Sequence, residues 1–343
     1  MILAVESSCD ETALAIFEPA TGISEEFLHS QLDLHKEYGG VVPELASREH
    51  LQTFPLLLRQ LLSRPGFDPR KLDHIAVTVG PGLAPCLALG ISHARALGVA
   101  WGVPVHPVNH LHGHAWSPFI PLHEKDPGNF GDNLAKHLPQ LAMLVSGGNT
   151  LLFEIGLDRS IRILAQTIDD AAGEALDKGA KLLGLDYPGG ALLEKQATGG
   201  DPAYYDFPRA FAGKDDMRFS YSGLKTSLRY KLEKMEGAEV ETRFSDLCAS
   251  YQQAVIDQLL SKVGQALDPA RHKSIGLSGG VANNKGLRNS FAGLAGSTGI
   301  PLLLARPCHC GDNATMIAFS SFISDFAGLP LPALGLQPSL PIS

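Results

Sequence analysis

An α/β protein made of two similar halves is the fold class this sequence predicts, on three observations. Apolar strand-like runs alternate with stretches of helical periodicity along most of the chain, the pattern of α/β architecture. A strand, a short polar turn and a second strand open the chain at ILAVESSCDETALAIFE and recur at LAMLVSGGNTLLFEIG, which suggests an internal duplication; two unrelated hairpins are the plainer alternative. The 343 residues suffice for two domains, each with its own core, at roughly 150 residues per domain.

Taken in order, Ile2 to Glu18 reads as two strands around a polar turn at Ser7 to Thr12. Glu44 to Ser63 has helical periodicity, with Pro55 demanding a kink or break. His74 to Val79 reads as a strand, and Ala84 to Ala100 as a helix after the Gly80-Pro81-Gly82 turn. The polar stretch Pro121 to Pro139 is the best linker candidate. Beyond the second strand–turn–strand unit, Asp169 to Leu183 and Glu241 to Leu267 read as helices, and Ser274 to Leu277 as a short strand entering Gly279-Gly280. The tail from Gly328 to Ser343, rich in Pro and Leu, reads as extended, either packed or frayed.

Composition narrows the function. Hydrophobic residues at 44% exclude a disordered chain, and a net charge of -8 argues against one that coats nucleic acid by charge alone. Glu6 interrupts the first apolar run, so no signal peptide is expected. The apolar stretch Ile75 to Val105 carries Gly, Pro, His93 and Arg95, unlike a membrane span. Five scattered cysteines (Cys9, Cys86, Cys248, Cys308, Cys310) argue against a disulfide framework and for a reducing cytoplasm. A soluble cytoplasmic protein without membrane contact is expected.

Three constellations could carry chemistry. Six of the 13 histidines fall between His106 and His137, and in VNHLHGHAWSP His110 and His114 are four apart. On a helix both imidazoles share one face, as metal ligands must, while His112 points elsewhere. Two histidines leave room for a carboxylate, for which Asp312 is available, and such a set suits Fe(II), with Zn(II) next. A zinc protease helix would need Glu after its first His, where Leu111 stands. Second, the Gly-rich turns Ser146-Gly147-Gly148-Asn149-Thr150, Pro188-Gly189-Gly190 and Ser278-Gly279-Gly280-Val281-Ala282-Asn283-Asn284 would let backbone N–H groups reach a nucleotide. Third, Asp170, Glu174 and Asp177 fall at helical spacing on one face, where unpaired acids would meet water, cations or hydroxyls. Cys308-His309-Cys310 lacks a second pair and is discounted as a zinc fragment. Lys225, Arg229, Lys231 and Lys234 form a basic cluster suited to phosphate or to plain solvation.

VESSCDETALAI, YGGVVPELASREH, NHLHGH, LVSGGNT, DDAAGEALDKGAKLLGLDYPGG, FSYSGLKT, SGGVANN and ARPCHCGDNATMIA stand in the order seen in the TsaD family, the bacterial tRNA adenosine threonylcarbamoyltransferases. The sequence resembles that family from Ile2 to about Ala318. The resemblance implies the duplicated actin, heat-shock chaperone and sugar-kinase fold, two lobes around a nucleotide cleft. It places one lobe over 1–125, with 313–343 packing back onto it, and the other over 138–312. His110, His114 and Asp312 match the ligands of one divalent metal per subunit, Fe(II) ahead of Zn(II). Leu144, Val145, Ser146, Gly147 and Gly148 match the substrate loop; Asp177, Gly190 and Asn284 match nucleotide positions, and Glu194 aligns where some members have an acid. Asn149 and Leu151 depart from the family's usual His and Gln. The implied reaction transfers the threonylcarbamoyl group of threonylcarbamoyl-AMP to the exocyclic amine of adenosine 37 in tRNAs reading ANN codons, releasing AMP, with TsaB and TsaE as partners. On this reading Asn284 and Asp177 serve binding rather than folding. The rivals are a small-molecule kinase of the same fold and a chaperone-like module, the latter lacking a β-rich segment after Asp312.

Overall fold

Eleven strands, counted among the described residues, form two sheets in a computed structural model that describes residues 1–213, 215–328 and 331–342. The first sheet contains β1 (Ile2–Glu6), β2 (Glu11–Glu18), β3 (Ile23–Ser30), β4 (His74–Gly80) and β5 (Val105–Asn109) in the order β3-β2-β1-β4-β5. The second contains β6 (Gln140–Val145), β7 (Thr150–Ile155), β8 (Ile161–Thr167), β9 (Arg218–Phe219), β10 (Ser274–Ser278) and β11 (Leu302–Leu304) in the order β11-β10-β6-β7-β8-β9. With the short β9 set aside, the two orders are the same. The strand directions agree as well: β1/β2, β2/β3, β6/β7 and β7/β8 are antiparallel, and β1/β4, β4/β5, β6/β10 and β10/β11 are parallel. The repeated hairpin is the visible part of a duplicated sheet.

The chain divides into two compact units, Met1–Lys136 with Ala305–Ser343, and His137–Leu304. The returning segment therefore begins at Ala305, not at 313, and places Asp312 in the same unit as His110 and His114. In the first unit β1 and β4 are buried along their whole length, because helices cover both faces. Leu3 and Val5 join Phe54, Leu57, Leu61 and Ile91 from the helices Pro43–Leu62 and Ala84–Trp101 in one core. The helix Ala314–Ala327 also packs on β1 and β2. A strand covered on both sides reads as an unbroken apolar run, which is why this opening looked uniformly hydrophobic.

Four expectations are corrected. Of the kink or break expected at Pro55 the break does not occur: Pro43–Leu62 is one helix, since the ring removes one N–H while Phe54, Leu57 and Leu61 stay anchored. The supposed linker is folded into short helices at Ile120–Lys125 and Phe130–Ala135. Its buried Phe130 lies 5.0 Å from the His123 ring and 5.8 Å from the Phe319 ring. The stretch from Glu241 is two helices, Gly237–Thr242 and Phe244–Ala266, separated at Arg243. The helix beginning in the acidic segment is Ala172–Leu182, so Asp170 precedes it instead of sharing its face.

The described part of the tail is packed, not frayed. Gln337 N donates to the Val79 carbonyl at 2.9 Å, Asn109 Nδ2 donates to the Pro341 carbonyl at 2.6 Å, and Ile342 is buried. A Cβ at Gly80 would lie 1.7 Å from the Gln337 carbonyl oxygen, so only glycine lets the tail approach there. The five cysteines are free, and no helix among the described residues is long and apolar enough to cross a membrane.

Candidate functional site

The strands β1, β4 and β5 are parallel, so their C-terminal ends emerge together. Glu6 ends β1, Thr78 lies near the end of β4, and Asn109 ends β5. Asn109 Oδ1 accepts the Leu111 N–H at 2.9 Å and so starts the seven-residue helix His110–Trp116. One helical turn then sets His110 and His114 side by side. Their rings stand at 90° with centroids 4.8 Å apart. Asp312 Oδ1 lies 3.3 Å from His110 Nε2 and 3.1 Å from His114 Nε2. Its loop is fixed from below, where Glu26 of β3 accepts the N–H groups of Ala314 at 2.7 Å and Thr315 at 3.1 Å. His112 turns away as expected, with Nε2–H donating to the Ile342 carbonyl at 2.6 Å.

Charge and hydrogen bonding couple the three side chains. Burial would raise the Asp312 carboxyl, but the charge and hydrogen bond of His110, then those of His114, hold it well below the usual carboxylate range. Burial pulls the His110 imidazole down, yet Asp312 and then Glu6 lift it well above its ordinary value. Burial keeps His114 below its ordinary value despite Asp312. Two buried imidazole nitrogens aimed at one carboxylate oxygen suit a divalent first-row ion, and perpendicular rings let one ion lie in both ring planes. The donor set fits the implied metal. Nearby, burial pushes Glu11 up to about 9, with Asp312 and Asp10 adding to the shift.

A second group, His74, His106 and Asp325, has ligand atoms close enough for an ion but the wrong geometry. Its imidazoles are stacked, 4.0 Å apart and 15° from parallel. A metal must lie in the plane of each ring it binds, and these planes do not meet near the nitrogens. Their Nδ1 atoms sit 3.6 Å and 3.7 Å from separate Asp325 oxygens, a tie between β4, β5 and the last helix. Cys308 and Cys310 enter no metal-type cluster among the described residues.

In the second unit residues 144–148, expected as a substrate loop, lie at and beyond the C-terminal end of β6, and Gly279–Asn284 leave that of its parallel neighbour β10. Leu144 and Val145 are buried strand residues; Ser146, Gly147 and Gly148 form the turn, closed by Ser146 N–H to the Asn149 carbonyl at 2.8 Å. A Cβ at Gly279, whose φ is +89°, would lie 2.3 Å from the Val145 carbonyl oxygen, so glycine is what draws the two loops together.

The remaining predicted residues already hold local structure. Asp177 Oδ1 accepts the Gly190 N–H at 2.8 Å, at the start of the helix Gly189–Ala197. Glu194 accepts the Lys285 N–H at 2.6 Å, and Asn284 caps the same helix, Lys285–Thr298, through Oδ1 to Leu287 N–H at 2.9 Å. Asn284 Nδ2 also donates to Gln252 at 2.7 Å. The expectation that Asn284 and Asp177 are dispensable for folding is therefore revised: both satisfy helix N–H groups. The acidic face is partly neutralised too, since Lys178 reaches Asp170 at 2.6 Å and Glu174 at 2.9 Å. In the basic cluster, Arg229 pairs with Glu233 at 3.6 Å, and Lys231 lies 4.3 Å from the Tyr205 ring centroid.

Sequence reasoning missed Glu6, Thr78 and Glu26. The available signal was a charged residue closing a strand that is otherwise apolar throughout, which for Glu6 was used only against a signal peptide.

The family profile described as TsaD, tRNA N6-adenosine threonylcarbamoyltransferase, matches residues 22–319. Relatives carrying that description include one from Geotalea uraniireducens (strain Rf4), 42% identical over 342 residues, covering 98% of this chain and 96% of the relative. Another, from Anaeromyxobacter sp. (strain Fw109-5), is 44% identical over 318 residues and covers 92% of each. Among solved structures, HypF of T. kodakarensis aligns with a TM-score of 0.58 at 15% identity, over 95% of this chain and 48% of its own. Component A of the Acidaminococcus fermentans (R)-2-hydroxyglutaryl-CoA dehydratase aligns with a TM-score of 0.51 at 12% identity, over 95% and 98%. These two likenesses concern the fold alone.

Proposed function

The chain belongs to the TsaD family of tRNA N6-adenosine threonylcarbamoyltransferases, and from that premise we propose that it transfers the threonylcarbamoyl group of threonylcarbamoyl-AMP to N6 of adenosine 37 in tRNAs reading ANN codons. The new bond joins N6 to the carbamoyl carbon. The bond from that carbon to the phosphate oxygen breaks, AMP leaves with the electron pair, and N6 loses a proton.

The single observation that carries the reading is the convergence of the buried His110 Nε2 and His114 Nε2 on Asp312 Oδ1. These three residues would hold one divalent metal, Fe(II) ahead of Zn(II). When bound, such an ion supplies Lewis-acid polarisation of a carbonyl oxygen. An adenine amine is a weak nucleophile, so orientation and electrophile activation count for more here than a strong base. In the second unit, the backbone N–H groups of Ser146–Gly148 and of the Gly279–Asn284 loop are assigned to the adenylate, at the strand ends where open α/β sheets bind ligands. A kinase of the same fold would leave His110, His114 and Asp312 without a task.

The RNA partner is assigned by charge. Residues His137–Leu304 carry 18 Lys+Arg against 19 Asp+Glu, while the first unit carries 10 against 17. Phosphate contacts therefore fall to the second unit, with Lys225, Arg229, Lys231 and Lys234 contributing, and the binding surface is completed with TsaB, while TsaE is the further partner. The test is nucleoside analysis of tRNA after reconstitution with threonylcarbamoyl-AMP. Product formed equally by wild type and by a His110→Ala/His114→Ala protein would overturn the metal-assisted reading.

A further inference from the structure

One buried carboxylate beside the metal triad has no task in the reading above. Glu6 closes β1 and is wholly buried. The parallel pairing that sets Val5 opposite Val77 brings Glu6 beside Thr78 on the neighbouring strand. The Thr78 hydroxyl donates to Glu6 Oε2 at 2.5 Å, and Ser8 N–H donates to Oε1 at 2.5 Å. These two donors, one on each oxygen, hold the carboxylate in a single orientation. Oε2 then faces His110 Nδ1 at 3.1 Å. Ser8 Oγ is a second, more distant neighbour of that nitrogen, at 3.2 Å.

An ionised carboxylate only accepts hydrogen bonds, so the contact requires a proton on His110 Nδ1. A neutral imidazole with Nδ1 protonated carries its lone pair on Nε2, the nitrogen 3.3 Å from Asp312. His114 lacks such backing: its Nδ1 is buried with no hydrogen-bond partner. The two metal-facing histidines are thus unequal, and the difference lies in what stands behind each ring. A buried carboxylate is costly unless it is paired and hydrogen-bonded, as Glu6 is by Thr78, Ser8 and His110.

We propose that Glu6 is a positioning residue of the metal centre: it takes the Nδ1–H of His110, presents the Nε2 lone pair to the ion, and is itself aimed by Thr78. The assignment rests on the metal reading of His110, His114 and Asp312. It also makes His110 the more basic of the two imidazole ligands, since a carboxylate behind a ring raises ligand basicity.

The test uses the full chain, stripped of metal and titrated with Zn(II) against a chromophoric chelator, then with Co(II) for its visible spectrum. Glu6→Gln keeps the shape and removes the charge; it is expected to weaken Zn(II) binding about 10- to 100-fold and to shift the Co(II) bands. Thr78→Val, which leaves Glu6 in place but unaimed, is expected to move both readouts the same way by less. His114→Ala is the reference for loss of a ligand. Wild-type affinity and spectrum in both Glu6→Gln and Thr78→Val, with binding lost in His114→Ala, would overturn the role of Glu6 and leave the metal centre standing. Undiminished Zn(II) binding by His114→Ala would overturn the metal reading and the role of Glu6 with it. Should Glu6→Gln fail to fold by circular dichroism, Thr78→Val decides between these outcomes.

Discussion

Asn284 caps a helix and is proposed to contact the adenylate, and the two roles can be separated. Its Oδ1 caps the helix Lys285–Thr298 through Leu287 N–H, and its Nδ2 donates to Gln252. Replacing an Asn cap by Ala costs about 1 kcal/mol, and the lost bond to Gln252 costs about 1 kcal/mol more. Asn284→Ala should therefore destabilise the second unit by about 2 kcal/mol. With a urea slope of about 2 kcal/mol per molar, the midpoint falls by about 1 M. Far-UV circular dichroism is the appropriate probe, because both tryptophans, Trp101 and Trp116, lie in the other unit. Asn284→Ser isolates the second role: Ser is a good cap, so about half the stability should return, whereas a nucleotide contact made by the amide stays lost. Binding of a non-reactive adenylate analogue, measured by calorimetry, should weaken alike in both variants. An unchanged urea midpoint for Asn284→Ala would refute the capping argument. Wild-type adenylate affinity in Asn284→Ser would refute the direct contact and leave Asn284 a cap alone.

His110→Ala, His114→Ala and Asp312→Asn should each abolish stoichiometric metal, read by elemental analysis, while the chain stays folded; full metal content in the double histidine variant would sink the assignment. Phe130→Ala should destabilise the first unit by about 3–5 kcal/mol, because the ring is buried against His123 and Phe319; a change under 1 kcal/mol would return the segment to linker status. His74 is held down to about 4 by burial and then by His106. A folded value below the unfolded one, near 6.5, means its stability contribution is complete above pH 6.5 and is lost as pH falls towards 4. His74→Gln should flatten the denaturation midpoint across that window, and an unaltered slope would count against it. Filter binding across a salt series should find the isolated chain a weak tRNA binder with a shallow slope, steeper with TsaB present and reduced by Lys225→Glu/Arg229→Glu. Tight and steeply salt-dependent binding by the chain alone would remove the need for a composite surface.

What the sequence determined by itself are features with local causes. Unbroken apolar runs marked β1, β2, β4, β6, β7 and β10, and apolar periodicity marked the helices Pro43–Leu62, Ala84–Trp101, Ala172–Leu182 and Phe244–Ala266, because burial acts residue by residue along the chain. The i, i+4 spacing placed His110 and His114 on one helix face and sent His112 away, which needs only helical geometry. Tertiary structure decided what depends on distant segments meeting. It brought Asp312 to the histidines across 198 residues of chain, paired Glu6 with Thr78 across adjacent strands, and buried Phe130 so that a polar-looking stretch became helical. It also carried the helix Pro43–Leu62 through Pro55, where anchoring on both sides outweighs one lost hydrogen bond. Asn284, Asp177 and Glu194 were legible as motif positions but not as caps, because which N–H a side chain satisfies is set by where the next helix begins in space.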